Sequence, residues 1–367
     1  MNLKPLHIVA FDVPFPANYG GVIDVFSRIK CLHQLGYAIT LHCYEYGRGR
    51  HRELEDYCTK VYYYPRPKRV WDLFSSTPFI VKTRINHLLI KRLKEDLYPI
   101  WMEGLHCAWL LNYFSSSERQ LLVRVHNIEH YYYDGLAQGT PAPKRWYFLW
   151  ESQKLKRYEP ILSQASHLYA IQECDVEYFK KINPNTTLLP SLPLNDVMAP
   201  PQALMPYVLY QGSLDVEENQ KAVVWLIHNV LKHLPQKSKI AGKNPPQWLR
   251  ALCCQFQIEL IENPDETVMT SLIANAKIHL LYTEQDTGLK LRLMNVLPYN
   301  GEIIVNPKMV AGTKWGRYCH IATLPSDFIA KIKNNLSLPE GNSDKVQQRH
   351  LQLSLERQQV EYILSNI

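Results

Sequence analysis

Pro190-Ser-Leu-Pro193-Leu-Asn-Asp-Val-Met-Ala-Pro200-Pro201-Gln-Ala-Leu-Met-Pro206-Tyr207-Val-Leu-Tyr210-Gln-Gly212-Ser213-Leu214 is the stretch that divides the chain. Five prolines fall between positions 190 and 206. Proline lacks an N–H donor and breaks helices, so regular structure should stop here. Directly afterwards an apolar run, Tyr207 to Tyr210, leads into a turn at 211–214 and an apolar-periodic helix from Asn219 to Leu231. The same succession opens the chain. His7 to Phe11 is a short buried strand, residues 12–21 are turn-rich, and Val22 to Leu35 reads as a helix closed by Gly36.

Outward from that boundary the alternation continues on both sides. Strand signals lie at 38–44, 60–64, 100–101 and 121–125, and 142–182 is mostly helical with room for a short strand at 163–169. Beyond the prolines come strands at 239–241, 258–261 and 278–282 and helices at 265–276 and 289–297. Such alternation predicts an α/β class protein made of two Rossmann-like domains, each a parallel sheet flanked by helices. The expected limits are 1–195 and 205–340. Residues 344–367 read as a long polar helix with leucines at 351, 353, 355 and 364, expected to pack back on the first domain.

With 367 residues, 46% of them hydrophobic and 20% charged, the chain can build two cores without staples. Its eight cysteines form no CxxC pair, no apolar run approaches the ~18 residues of a membrane span, and the N-terminal segment is too polar for a signal peptide. The expected compartment is the cytoplasm, with the inner membrane as a peripheral contact. Net charge is +7, unevenly placed: residues 1–195 hold 24 basic and 18 acidic side chains, the remainder 17 and 16. That imbalance predicts an anionic partner for the first half. The densest basic run is Arg66, Lys68 and Arg69, followed by Phe79 to Tyr98 with Lys82, Arg84, Lys91, Arg92 and Lys94 among helically spaced apolar residues. This segment is either a basic amphipathic helix lying against an anionic membrane or an ordinary helix with solvated lysines. No zinc finger, RNP or homeodomain pattern supports nucleic acid as the partner.

Three constellations carry candidate chemistry. Gly20-Gly21 precedes the first helix, where paired glycines bring N–H groups close to an anion or simply satisfy a turn. The GxGxxG pattern of dinucleotide binding is absent. Arg124-Val-His126-Asn127-Ile-Glu129-His130 follows a buried strand, so His126 is placed as an acid/base, as a polar clamp, or as a ring bonded to backbone. A metal held by His126, Glu129 and His130 would need the loop to wind into a regular turn, and no metal is expected. Gly288-Leu289-Lys290-Leu-Arg292-Leu-Met-Asn295 puts two cations at a strand–helix junction, suited to a diphosphate leaving group or to a solvated face. Gly242-Lys243-Asn-Pro-Pro follows another strand similarly, and no Asp-x-Asp pair for Mg²⁺ occurs.

Taken in order, these pieces resemble the family 4 glycosyltransferases of the GT-B fold, of the bacterial surface-polysaccharide type. Pro14-Phe-Pro-Ala-Asn18-Tyr19-Gly20-Gly21 is similar to the family's opening loop, Arg124 to His130 to its histidine loop, and Tyr210-Gln-Gly212-Ser213-Leu214 with Asn219 to the turn opening its second domain. Ala241-Gly-Lys243, Asn263-Pro-Asp265 and Gly288-Leu289-Lys290-Leu-Arg292 complete the series. The resemblance implies two domains facing across a cleft and a retaining, metal-independent transfer from a nucleotide-sugar donor to a glycan or lipid-linked acceptor, without a cofactor. It implies catalytic roles for His126 and Lys290. Donor contacts would come from Gly20, Gly21, Gly212, Ser213, Lys243, Gly288, Leu289, Lys290, Arg292 and Asn295. Acceptor contacts would come from Asn18, Tyr19, Glu103, Asn127 and Glu129.

The family's two glutamates, separated by seven residues, have no counterpart. Aligned on Gly288 their positions hold Thr287 and Asn295; aligned on Glu284, the second falls at Arg292. Either Lys290 and Asn295 hold the donor instead, or activity is weakened or lost. A nucleotide-sugar epimerase and a catalytically silent GT-B subunit bound to a partner transferase are the rival readings.

Overall fold

The computed structural model describes residues 3–17, 19–193, 204–234, 238–284, 290–337 and 344–367. They form two compact units, one of residues 1–194 and 358–367, the other of residues 195–357. The first unit holds strands β1 (Lys4–Ala10), β2 (Tyr37–Glu45), β3 (Lys60–Pro65), β4 (Ile100–Glu103), β5 (Leu121–Val125), β6 (His167–Ala170) and β7 (Thr186–Leu188). All pair in parallel, in the order β3-β2-β1-β4-β5-β6-β7. The second unit holds β8 (Met205–Gln211), β9 (Ser238–Gly242), β10 (Glu259–Glu262), β11 (Ala276–Leu281), β12 (Glu302–Val305) and β13 (His320–Ile321), again all parallel, in the order β10-β9-β8-β11-β12-β13. Each unit is thus a parallel sheet flanked by helices, as the alternation of strand and helix signals predicts. No helix among the described residues is long and apolar enough to cross a membrane.

Local chemistry sets the boundaries. The first helix, Gly20–Gln34, ends where Gly36 turns to φ +84°, a left-handed conformation that a side chain resists. Asp265 starts the helix Glu266–Asn275 by accepting the Val268 N–H at 2.8 Å. Where β8 and β9 end, two backbones touch: a Cβ on Gly242 would land on the Gly212 carbonyl oxygen and lie 2.8 Å from Leu214 Cγ.

Two expectations need correction. The basic segment 79–98 is not one amphipathic helix but two short ones, Phe79–Lys82 and His87–Leu93, the second capped by Asn86. Arg84 is buried, donating to the carbonyls of Phe11 (2.9 Å) and Ile80 (2.6 Å), and Arg92 stacks on Tyr62 at 3.9 Å. Only Lys82, Lys91 and Lys94 of that series face solvent. The final helix, Asp344–Ser365, is divided between the units instead of lying on the first alone. Its buried stripe is Val346, Arg349, Leu353, Glu356, Val360 and Leu364, which leaves Leu351 and Leu355 exposed. Arg349 donates to the carbonyls of Leu297 (3.0 Å), Tyr299 and Gly301 (3.1 Å) within the second unit.

Gly242→Ala is expected to destabilise the second unit by at least ~2 kcal/mol, because backbone cannot yield as a side chain can. Gly139→Ala, where an added Cβ meets nothing within 4 Å, is the matched control and should shift denaturant unfolding little.

Candidate functional site

In the first unit the strands β1, β4 and β5 lie side by side, so the residues just after them converge at one sheet edge. Parallel sheets bind ligands outside these carboxyl ends. Phe11, His106 and His126 meet there, with the Phe11 ring 5.1 Å from His106 and 5.4 Å from His126. Gly21 belongs to this packing. It is helical, and a Cβ there would come 2.5 Å from the Phe11 ring, so close approach and not a special turn requires glycine.

Beneath His126 lies a buried ion network. Arg124 grips Asp24 with two bonds (Nη2 to Oδ1 at 2.9 Å, Nε to Oδ2 at 3.0 Å). Arg28 spans Asp24 (3.0 Å) and Glu103 (2.7 and 2.8 Å). Ser191 adds a bond to Asp24 at 2.6 Å and Trp101 Nε1 one to Glu103 at 2.8 Å. The guanidinium groups of Arg124 and Arg28 hold Asp24 well below the usual carboxylate range against the opposing effect of burial. Glu103 is likewise lowered, by Arg28 and by the His126 bond, although its burial acts the other way.

His126 therefore sits between carboxylates, Nε2 2.9 Å from Glu103 and Nδ1 3.8 Å from Asp24. An ionised carboxylate only accepts, so Nε2 carries the proton. Asp24, Glu103 and His126 offer ligand atoms within 4.8 Å of one another, the spacing of a metal site. Their carboxylate oxygens, however, already serve two guanidinium groups, whose positive charge would oppose a cation.

The expected acceptor residues fare differently. Glu103 is fully buried and occupied by Arg28, Trp101 and His126, so it cannot contact a ligand. Glu129 is buried at the start of the helix Glu129–Gln138, and burial, helped by the charge of Glu159, pushes its carboxyl up to about 8. Its neighbour His130 bonds Glu159 at 2.8 Å. Tyr19 donates to Asp12 at 2.6 Å and carries Arg48 over its ring at 5.2 Å. Asn127 is half-buried in the same loop. Asn18 lies outside the described residues.

In the second unit β9, β8 and β11 are neighbours, and their ends gather Gly212, Ser213, Lys243 and Glu284. Arg292 reaches this edge: its Nη1 donates to Tyr210 Oη at 2.5 Å, its Nη2 lies 3.8 Å from Glu218, and its Cδ lies 3.3 Å from where a Gly212 Cβ would be. Burial raises the Tyr210 phenol to about 12. Asn219 Nδ2 donates to the Ser213 carbonyl at 2.8 Å, closing the turn. Lys243 is exposed, Lys290 is buried as the residue before the helix Leu291–Val296, and Asn295 is half-buried on that helix. Gly288 and Leu289 lie outside the described residues.

Three participants escaped the sequence reading. Asp24 and Arg28 stand on the apolar face of the first helix, four residues apart, and that misplaced polarity is a signal. Glu218, which bonds Thr283 as well as facing Arg292, is remote from both in sequence and left none.

No known family profile matches the chain. A Klebsiella pneumoniae protein from the cps region, an uncharacterised protein of 44.6 kDa, is 29% identical over 181 residues, and the match spans about half of this chain and about half the length of that protein (46% of each). Among solved structures, HepE of Anabaena in complex with UDP and glucose has a TM-score of 0.64 at 10% identity, covering 99% of this chain and 100% of that one. A glycosyltransferase from Rickettsia africae has a TM-score of 0.63 at 11% identity (100% and 97% covered), and a UDP-forming trehalose-phosphate synthase from Burkholderia xenovorans has 0.55 at 10% (99% and 97%). At these identities the likeness establishes the fold.

Asp24→Asn, which leaves two buried guanidinium groups short of a countercharge, should cost ~3–5 kcal/mol in denaturant unfolding of the first unit. Glu129 tests the opposite case. Folded, it keeps its proton to about pH 8, whereas its ordinary value is 4.5, so stability declines as pH climbs between those values. Glu129→Gln should stabilise on the order of 2–4 kcal/mol at pH 9 and little at pH 5, read as melting temperature against pH.

Proposed function

We propose that this chain is a glycosyltransferase that moves a sugar from a nucleotide-sugar donor, held by the second unit, to a glycan or lipid-linked acceptor held by the first. The observation that carries the reading is Arg292 laid beside Gly212, where Gly242 meets the Gly212 carbonyl. A bare backbone surface next to a guanidinium anchored by Tyr210 suits a diphosphate, which needs fixed cations and N–H dipoles more than a shaped apolar wall. The full-length likeness to a structure containing UDP and glucose supports the same assignment.

In the proposed reaction Lys290 and Arg292 stabilise the departing diphosphate without a metal. The bond from the anomeric carbon to the diphosphate breaks, the acceptor oxygen bonds to that carbon on the same face, and the acceptor's proton passes to a diphosphate oxygen. His126, its ring fixed between Glu103 at Nε2 and Asp24 at Nδ1, is assigned to the transferring sugar from the sheet edge of the first unit. Within the second unit, Gly212, Ser213, Lys243 and Asn295 complete the donor contacts. Glu218 supplies a carboxylate near the place left vacant by the missing glutamate pair. Peripheral membrane contact rests on a smaller surface than the whole segment 66–94, centred on exposed Val70, Trp71 and Phe74 beside Lys68 and Arg69.

UDP titrated calorimetrically should bind, and Lys290→Ala should weaken that binding by ~1–3 kcal/mol. Absence of binding by any nucleoside diphosphate would turn the assignment toward a silent subunit. His126→Ala should lower transfer more than donor binding; equal losses with a lower melting temperature would reduce its role to packing.

A further inference from the structure

Three cations of the first unit converge on one tyrosine. Tyr46 follows β2, and its ring centroid lies 4.6 Å from the Arg66 guanidinium, 5.1 Å from the Lys68 ammonium and 5.7 Å from the Arg84 guanidinium. Arg84 is 2% exposed and its hydrogen bonds go only to neutral acceptors: the carbonyls of Phe11 and Ile80, and the Tyr46 hydroxyl at 3.3 Å. Arg66 donates to Thr83 Oγ1 at 3.0 Å. Among the described residues no carboxylate stands within 4 Å of any of the three cations. The Arg66 guanidinium is lowered by burial and then by the charge of Arg84. Glu129, the acid whose field reaches Arg84, keeps its own proton to about pH 8. Contrast the Asp24 network, where two guanidinium groups are matched by two carboxylates. Here positive charge is gathered, partly dehydrated and left uncompensated, a state that an anion would relieve.

The place matters as much as the charge. Phe11, Tyr46 and Arg66 follow the carboxyl ends of β1, β2 and β3, which are adjacent in the sheet. The cluster thus lies at the ligand edge and gives a location to the net positive charge of the first half. From Lys68 the chain runs into exposed Val70, Trp71 and Phe74, and Phe74 lies 6.1 Å from the Trp150 ring, so an apolar surface adjoins the cations.

We propose that Arg66, Lys68 and Arg84 form a phosphate-binding site for a phosphorylated acceptor, whose phosphate Arg66 grips with paired N–H donors while Lys68 adds a point charge. Calling the ligand an acceptor rests on the glycosyltransferase reading; the phosphate site itself does not. The phosphate is either on a soluble molecule or at the head of a lipid, and the adjoining aromatic surface fits the second source.

The test uses the full chain and two probes: inorganic pyrophosphate in solution, and phosphatidylcholine vesicles with and without phosphatidic acid. Lys68→Gln, Arg66→Gln and the double variant are compared with the parent chain, with melting temperature reporting folding. Lys68 is exposed, so its variant isolates charge from packing. At least about tenfold weaker pyrophosphate binding in the double variant supports the site with a soluble ligand. The same loss seen only on phosphatidic-acid vesicles supports it with a lipid-borne one. Equal behaviour of parent and double variant toward both probes overturns it. UDP affinity should be unchanged by these substitutions; a parent chain that binds no UDP would sink the glycosyltransferase reading while leaving the phosphate result standing.

Discussion

Four charges with almost no access to water organise the first unit. Asp24, Arg28, Glu103 and Arg124 come from the first helix, β4 and β5, and none exceeds 5% exposure. Dehydrating any one alone would be prohibitive, so each is tolerable only because the others surround it. That mutual dependence is directional. The fork of Arg124 fits Asp24 in one geometry, Arg28 must reach both acids, and the helix is thereby set at a single register over the sheet. His126 inherits its orientation from the same arrangement through Glu103.

The second unit organises its edge by space instead of charge. At Gly212 and Gly242 two strands end with their backbones in contact, and Arg292 fills the side that a Cβ would have taken. Tyr210 and Glu218 hold that arginine from two directions. One unit thus presents a rigidly neutralised floor with a separate cationic cluster beside it, and the other presents glycine backbone and an anchored guanidinium. Both sets follow the ends of parallel strands, where neighbouring loops from distant parts of the sequence are delivered to one place.

Most strands were legible because a parallel sheet is covered on both faces, so its members read as apolar runs. Leu121 to Val125 needed no adjustment, and Lys239–Ala241 grew by one residue at each end. What escaped was polarity used internally. Arg84 and Arg92 counted as surface charge in a periodic reading, yet tertiary carbonyls and tyrosine rings receive them. Glu103 looked available for a ligand because nothing in the local pattern shows that Arg28, 75 positions earlier, reaches it. The glycine pair at 20–21 was read as an approach to an anion or as a turn, and the Phe11 ring that Gly21 meets left no sign in the sequence.

The final helix misled for a related reason: its buried stripe includes Arg349 and Glu356, so leucines were a poor guide to its inward face. Leu353 joins the core of the second unit, while Val360 and Leu364 join that of the first. Vectorial synthesis gives this sharing a temporal meaning. All thirteen described strands leave the ribosome before these side chains exist, so Leu353, Val360 and Leu364 are the last members to enter two otherwise synthesised cores.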